Sequence, residues 1–150
     1  MPYYKIRRQA KGSKATAWKW FAKFIKLRDC IMTTGNPTMG RCITCGEVKS
    51  IDDLDAGHML SGRTGGILFD ETMVHAQCRD CNRTGNGEYQ MYKTVMIERR
   101  GQEWYELKEQ AKKTNVKLGE FECKQYAEEY KDKYKALAAV DSMKGIVCVN

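Results

Sequence analysis

The chain has 150 residues, 42% of them hydrophobic, enough for one domain with a real core. No apolar run approaches the ~18 residues of a membrane helix, and the basic, polar amino terminus lacks the apolar stretch of a secretory leader, so the sequence predicts a cytoplasmic protein with no membrane partner. The net charge of +7 is unevenly placed: residues 1–28 hold nine Lys or Arg and no acid, leaving 17 basic against 19 acidic residues beyond. A localised basic stretch interleaved with aromatics is the footprint of a polyanion, most simply DNA, rather than a merely solvated face.

In chain order, residues 1–14 read as a loose basic arm broken at Gly12-Ser13, with Arg7, Arg8, Lys11 and Lys14 as candidate DNA contacts. From about Ala15 to Asp29, Trp18, Phe21, Ala22 and Ile25 fall on one helical face and Trp20, Phe24 and Leu27 on another, predicting a well-buried helix. Thr33 to Gly40 is turn chemistry leading into Cys42-Ile43-Thr44-Cys45-Gly46, a tight knuckle. Ile51 to Met59 suits a strand, Leu60 to Gly66 a glycine-rich loop, and Ile67 to Phe69 a second strand or a bridge into Met73–Gln77. A helix is expected from Arg79, interrupted near Gly85-Asn86-Gly87; amphipathic helices follow through Tyr89, Tyr92, Val95 and Met96, after Gly101, and after Gly119 with Cys123, Tyr126, Tyr130, Tyr134 and Leu137. Residues 15–140 form one domain and 141–150 a tail.

Cysteine spacing carries the sharpest chemistry. Cys42/Cys45 and Cys78/Cys81 are two CxxC pairs, which together complete a closed tetrahedral Zn²⁺ site, structural because no position is left for substrate. The odd total of seven cysteines argues for reduced thiols rather than a disulfide framework. Cys30, Cys123 and Cys148 read as small buried hydrophobes or incidental thiols. The zinc would clamp the segment holding both histidines, His58 and His75.

The runs Leu54-Asp55-Ala56-Gly57-His58, Leu68-Phe69-Asp70-Glu71 and Val74 through Cys78-Arg79-Asp80-Cys81-Asn82, with the later pieces Gly85-Asn86, Tyr89, Ile97-Glu98-Arg99-Arg100-Gly101 and Glu122-Cys123-Lys124 through Tyr130, resemble the phage lambda NinG (Rap) recombination nucleases over about residues 18–138. More distantly, CxxC, a strand-borne His, then CxxC followed at once by Asn is similar to the HNH or His-Me finger nucleases. The resemblance implies an α+β fold with a ββα-metal core, braced by the four-cysteine zinc site and flanked by amphipathic helices at both ends.

It further implies a metal-dependent endonuclease acting on branched recombination DNA such as Holliday junctions or D-loops. His58 is the expected general base, since imidazole titrates near neutrality. Asn82 is the expected ligand of a catalytic Mg²⁺ or Mn²⁺, with its carbonyl oxygen suiting a hard ion. The second ligand is open. Gly57 stands where HNH enzymes commonly carry Asp or His, and Asp55 substitutes only if the strand bends at Ala56-Gly57; otherwise it orients His58 or an arginine.

His75 is a candidate accessory residue, read more simply as a structural group hydrogen-bonded to a carbonyl. Arg63, Arg79 and Arg83 are candidate phosphate contacts. Met73 departs from the asparagine that related proteins carry, so the catalytic loop must be held in another way. The competing reading is a zinc-braced branched-DNA-binding protein without catalysis, and Gly57 and Met73 are its support. A homodimer, paired through the carboxyl-terminal helices, is left open.

Overall fold

The computed structural model describes the backbone of residues 2–147 apart from Arg63 and Asn115, and side chains between Gly12 and Val140. The readings placed on the side chains of Arg7, Arg8 and Lys11, on Arg63 and on Cys148 lie outside the described residues. The element order is α1 (Pro2–Thr34), β1 (Met39–Arg41), β2 (Val48–Ser50), β3 (Leu54–His58), β4 (Val74–Cys78), α2 (Tyr89–Arg100), α3 (Gln102–Lys113) and α4 (Glu120–Val147). A 3-10 turn at Ile51–Asp53 precedes β3, and a π-helical turn at Asp80–Thr84 follows β4. The fold is mixed: helices with two small antiparallel sheets, β1–β2 and β3–β4.

Helix α1 takes in residues 2–14, where the sequence suggested a loose arm. Lys, Arg, Gln and Ala dominate that stretch and favour helix, and a single interior glycine costs only about 1 kcal/mol. Thr16 Oγ1 donates to the Gly12 carbonyl at 3.0 Å, bridging the expected break. At the other end of the chain, α4 likewise runs into the stretch read as a tail, as far as Val147.

The main core joins α1 to α2, α3, α4 and the loop between β3 and β4. Phe21 is its hub, edge-on to Tyr130 at 4.7 Å and to Phe69 at 5.5 Å. Ile67, Leu68 and Phe69 are buried but form a turn rather than a strand, because the Ile67 and Leu68 amides both donate to Thr64 O. A short apolar run can plug a core in either conformation. A smaller cluster of Cys30, Cys42, Leu54, Ala76 and Cys78 lies beneath the knuckle. No helix among the described residues is long and apolar enough to cross a membrane.

Candidate functional site

The β1–β2 hairpin, which the sequence reading did not resolve, carries the first CxxC at its turn. Cys42 N donates to Glu47 O at 2.9 Å, and Gly46 takes φ 76°, a left-handed bend that glycine adopts without strain. The second CxxC spans the end of β4 and the π-helical turn. The sulfurs of Cys42, Cys45, Cys78 and Cys81 all lie within 4.8 Å of one another, close enough to hold one metal such as zinc. Cys45 and Cys78 sulfurs are 3.9 Å apart, near the ~3.8 Å edge of a tetrahedron with zinc–sulfur bonds of ~2.3 Å.

Electrostatics point the same way. Burial pushes the Cys42 thiol up, but the Thr44 hydroxyl and backbone amides of Cys45, Cys78 and Thr44 hold it down to about 6. Burial, the Cys78 and Cys45 thiols and the charge of Cys42 then push Cys81 up to about 12. Four thiolates cannot share this space without a cation, and a divalent ion resolves the conflict.

Beside this brace, β3 and the π-helical turn border a cleft of about 330 Å³ lined by Trp18, Lys26, Asp55, His58, Asn82, Arg83 and Tyr89, among others. His58 ends β3. The residue is 8% exposed, and its ring stacks on Trp18 with centroids 5.2 Å apart and places Nε2 3.1 Å from the Leu68 carbonyl. A carbonyl only accepts, so Nε2 is the donor in this contact.

Asp55 does not reach this cleft through a bend. β3 pairs with β4 in unbroken register from Leu54↔Cys78 to His58↔Val74, so the bend at Ala56-Gly57 on which a ligand role for Asp55 was made to depend is absent. The cleft instead takes Asp55, Ala56 and His58 from β3, residues of both faces of the strand. Asp55 accepts from Asn82 Nδ2 at 3.0 Å and from Arg83 through a two-pronged pair at 2.8 Å. Burial pushes the Asp55 carboxyl up, and the hydrogen bonds from Arg83 and Asn82 more than reverse that, holding it below the ordinary carboxylate value.

Gly57 has another reason to be glycine. A Cβ there would stand 2.2 Å from Gln77 Oε1, so the position is kept empty for the buried Gln77 side chain. Gln77 Nε2 in turn donates to Gly87 O at 2.8 Å and Thr44 Oγ1 at 3.3 Å, joining β4 to the knuckle and to the turn after Asn82.

The loop that Met73 cannot pin is held by Arg28, which donates to Glu71 O at 2.8 Å and Val74 O at 3.0 Å. The buried Asp29 balances that charge at 2.7 Å and accepts from Ala76 N at 2.7 Å. Burial pushes the Asp29 carboxyl up, while His75 and Arg28 hold it below its ordinary value. Tyr92 completes the frame, its hydroxyl donating to Gly57 O at 2.9 Å.

His75 belongs to this frame and not to the His58 cleft. Its Nε2 faces Thr72 O at 3.3 Å, and its Nδ1 lies 3.2 Å from Arg28 Nη2 and 3.3 Å from Asp29 Oδ2. Arg79 bonds the Asp52 carbonyl and pairs with Asp53 at 3.7 Å, outside the cleft that Arg83 lines. Lys14 is exposed on α1, also outside it. Sequence reasoning missed Arg28, Asp29, Gln77, Trp18 and Lys26. One signal was available: Asp29 continues the Phe21–Ile25 row of α1 at four-residue spacing, putting a carboxylate at a core position.

The family model described as Bacteriophage Lambda NinG protein matches residues 4–140 of the chain. Among curated proteins, the chain is similar to the ninG protein of Escherichia phage lambda, 35% identical over 97 residues that cover 64% of this chain and 47% of that protein. It is also similar to the ninG protein of Escherichia phage 933W, 40% identical over 63 residues, or 41% of this chain and 31% of the relative, and equally to that of Enterobacteria phage VT2-Sa. The matches thus span less than half the length of these relatives. No solved structure matches.

Proposed function

The chain belongs to the family of the bacteriophage lambda NinG protein, and from that membership and the His58 cleft we propose that it is a metal-dependent endodeoxyribonuclease of the HNH or His-Me finger type, hydrolysing phosphodiester bonds in branched recombination intermediates. The observation that carries the reading is the placement of the His58 ring, between the Leu68 carbonyl and Trp18 at the cleft. With Nε2 held by the Leu68 carbonyl and the ring held by Trp18, His58 is a fixed imidazole in a cleft that also holds Arg83 and Lys26. Such a group accepts the proton of an attacking water at neutral pH. Arg83 and Lys26 offer positive charge to the phosphate.

Asp55 and Asn82, already in contact, are the oxygen donors for Mg²⁺ or Mn²⁺. When bound, the ion supplies Lewis-acid stabilisation of charge on the scissile phosphate. Both Asp55 oxygens are engaged by Arg83, whose side chain is 63% exposed, so cation binding at Asp55 requires that side chain to swing away. The same pairing favours the second reading, a branched-DNA-binding protein without catalysis, since a carboxylate neutralised by arginine is a weak ion ligand.

Incubation of the zinc-loaded protein with labelled four-way junctions and Mg²⁺ or Mn²⁺ separates the two. Cutting that His58→Ala reduces by at least ~100-fold, with zinc content and DNA affinity retained, supports the nuclease. Tight binding without cutting supports the second reading, and normal cutting by His58→Ala removes His58 as the base.

A further inference from the structure

A second cleft, of about 290 Å³, borders the β4 side of the strand pair; Arg28, Arg41, Arg99, Arg100, Glu71 and His75 are among its lining residues. It shares no lining residue with the His58 cleft, which takes its strand residues from β3. The four arginines are not equivalent. Arg28 is paired with Asp29 at 2.7 Å and holds two carbonyls, so its charge is balanced. Glu71, the other acid of the lining, is engaged by Lys133 at 2.5 Å and by the Tyr130 hydroxyl at 2.9 Å.

Arg41, Arg99 and Arg100 are different. All three are exposed, and among the described residues none pairs with a carboxylate. Arg41 donates to the neutral Gly46 carbonyl at 2.7 Å, and Arg100 lies 5.2 Å from the Trp104 ring centre. Three arginines without a carboxylate partner among the described residues therefore line one concavity. The planar fork of arginine matches phosphate oxygens, and like charges lining one cleft favour an anion within it. The charges come from β1 and from the last turn of α2, spread along an open rim rather than converging on a buried point. That suits a repeating anion better than a small one.

We propose that the cleft rimmed by Arg41, Arg99 and Arg100 is a second phosphate-backbone site, gripping a nucleic-acid strand other than the one presented to His58. The inference rests on nucleic acid being the ligand of the His58 cleft, and not on that cleft's cutting it.

Affinity for a four-way junction, measured by fluorescence anisotropy between about 50 and 300 mM salt without divalent ions, tests it. The His58→Ala protein is compared with the same protein carrying R41Q/R99Q/R100Q, and with a control carrying K113Q/K117Q/K135Q, whose lysines line neither cleft. Each lost phosphate contact flattens the log–log salt slope by about 0.9, so the arginine variant should lose about two to three units and the control less than one. R99Q/R100Q, which leaves the Arg41–Gly46 contact beside the zinc knuckle intact, should lose about two units. Circular dichroism and zinc content confirm folding. Equal slopes in the arginine and lysine variants overturn the proposal. So does stabilisation by inorganic phosphate or a mononucleotide that the arginine variant loses while the DNA slope stays unchanged, which marks a small-anion site. Absence of cutting by the unsubstituted protein, with the slope change present, overturns the nuclease reading alone.

Discussion

Gly57 on β3 and Gln77 on β4 stand so close that a methyl group on the glycine would lie 2.2 Å from the Gln77 side-chain oxygen. Gly57→Ala should therefore destabilise the protein by about 1–3 kcal/mol through overpacking. In a Gln77→Ala background, the added cost of Gly57→Ala should largely vanish, because the two changes share one contact. Urea denaturation of the four proteins checks this, and additive costs would show that the glycine serves something else.

The extension of α1 through Gly12 has its own test. A Cβ at that residue meets nothing within 4 Å, and the backbone there is helical. Gly12→Ala should raise stability by about 0.5–1 kcal/mol, read as a higher melting temperature. A loose arm would leave the melting temperature where it was.

Asp29→Asn removes the buried counter-charge of the half-buried Arg28 and should cost about 3 kcal/mol near neutral pH. The folded-state carboxyl lies below its unfolded value of 3.8, so its contribution is whole above that value and is lost as pH falls through the lower folded one. The stability gap between the unsubstituted protein and Asp29→Asn should hold from pH ~5 upward and close as the pH drops below ~3.8. Denaturation curves at a series of pH values would read it, and a gap that widens toward acid would contradict the assignment.

Zinc removal should unfold the knuckle and the strand pair beneath it. Metal binding contributes on the order of ten kcal/mol of folding free energy in small zinc modules, so chelation or Cys78→Ser should abolish cooperative unfolding and broaden the amide spectrum. Retention of a sharp transition with no zinc bound would show that the four sulfurs are not a metal brace.

How much of this was legible in the sequence depended on the range of the interaction. The four clustered cysteines declare themselves by spacing, and β3, the break at Gly85-Asn86-Gly87 and the start of α2 follow from local patterns. Residues 2–14 were read as an arm because Gly12-Ser13 was given more weight than the helix-favouring residues around it, and Ile67–Phe69 were misread because a short apolar run fills a core equally well as a turn. Arg28 reaches Glu71 and Val74 across more than forty residues, and Gln77 excludes a side chain at Gly57 from the neighbouring strand. Pairings of that kind leave no mark in residue order. The family resemblance pointed to His58, Asn82 and Asp55, including an arginine partner for Asp55, but not to Trp18 and the Leu68 carbonyl that the His58 ring meets.

One helix borders both clefts. Trp18, Ala22 and Lys26 of α1 wall the His58 cleft, while Arg28, Asp29, Met32 and Thr33 wall the arginine cleft. From Trp18 to Thr33 an α-helix advances about 22 Å, and it cannot shorten or fold without losing its own backbone hydrogen bonds. The molecule thus carries a rigid gauge: the outermost α1 walls of its two concavities are spaced by the rise of a peptide coil, and the part of a ligand that lies along this helix in both is measured against that length.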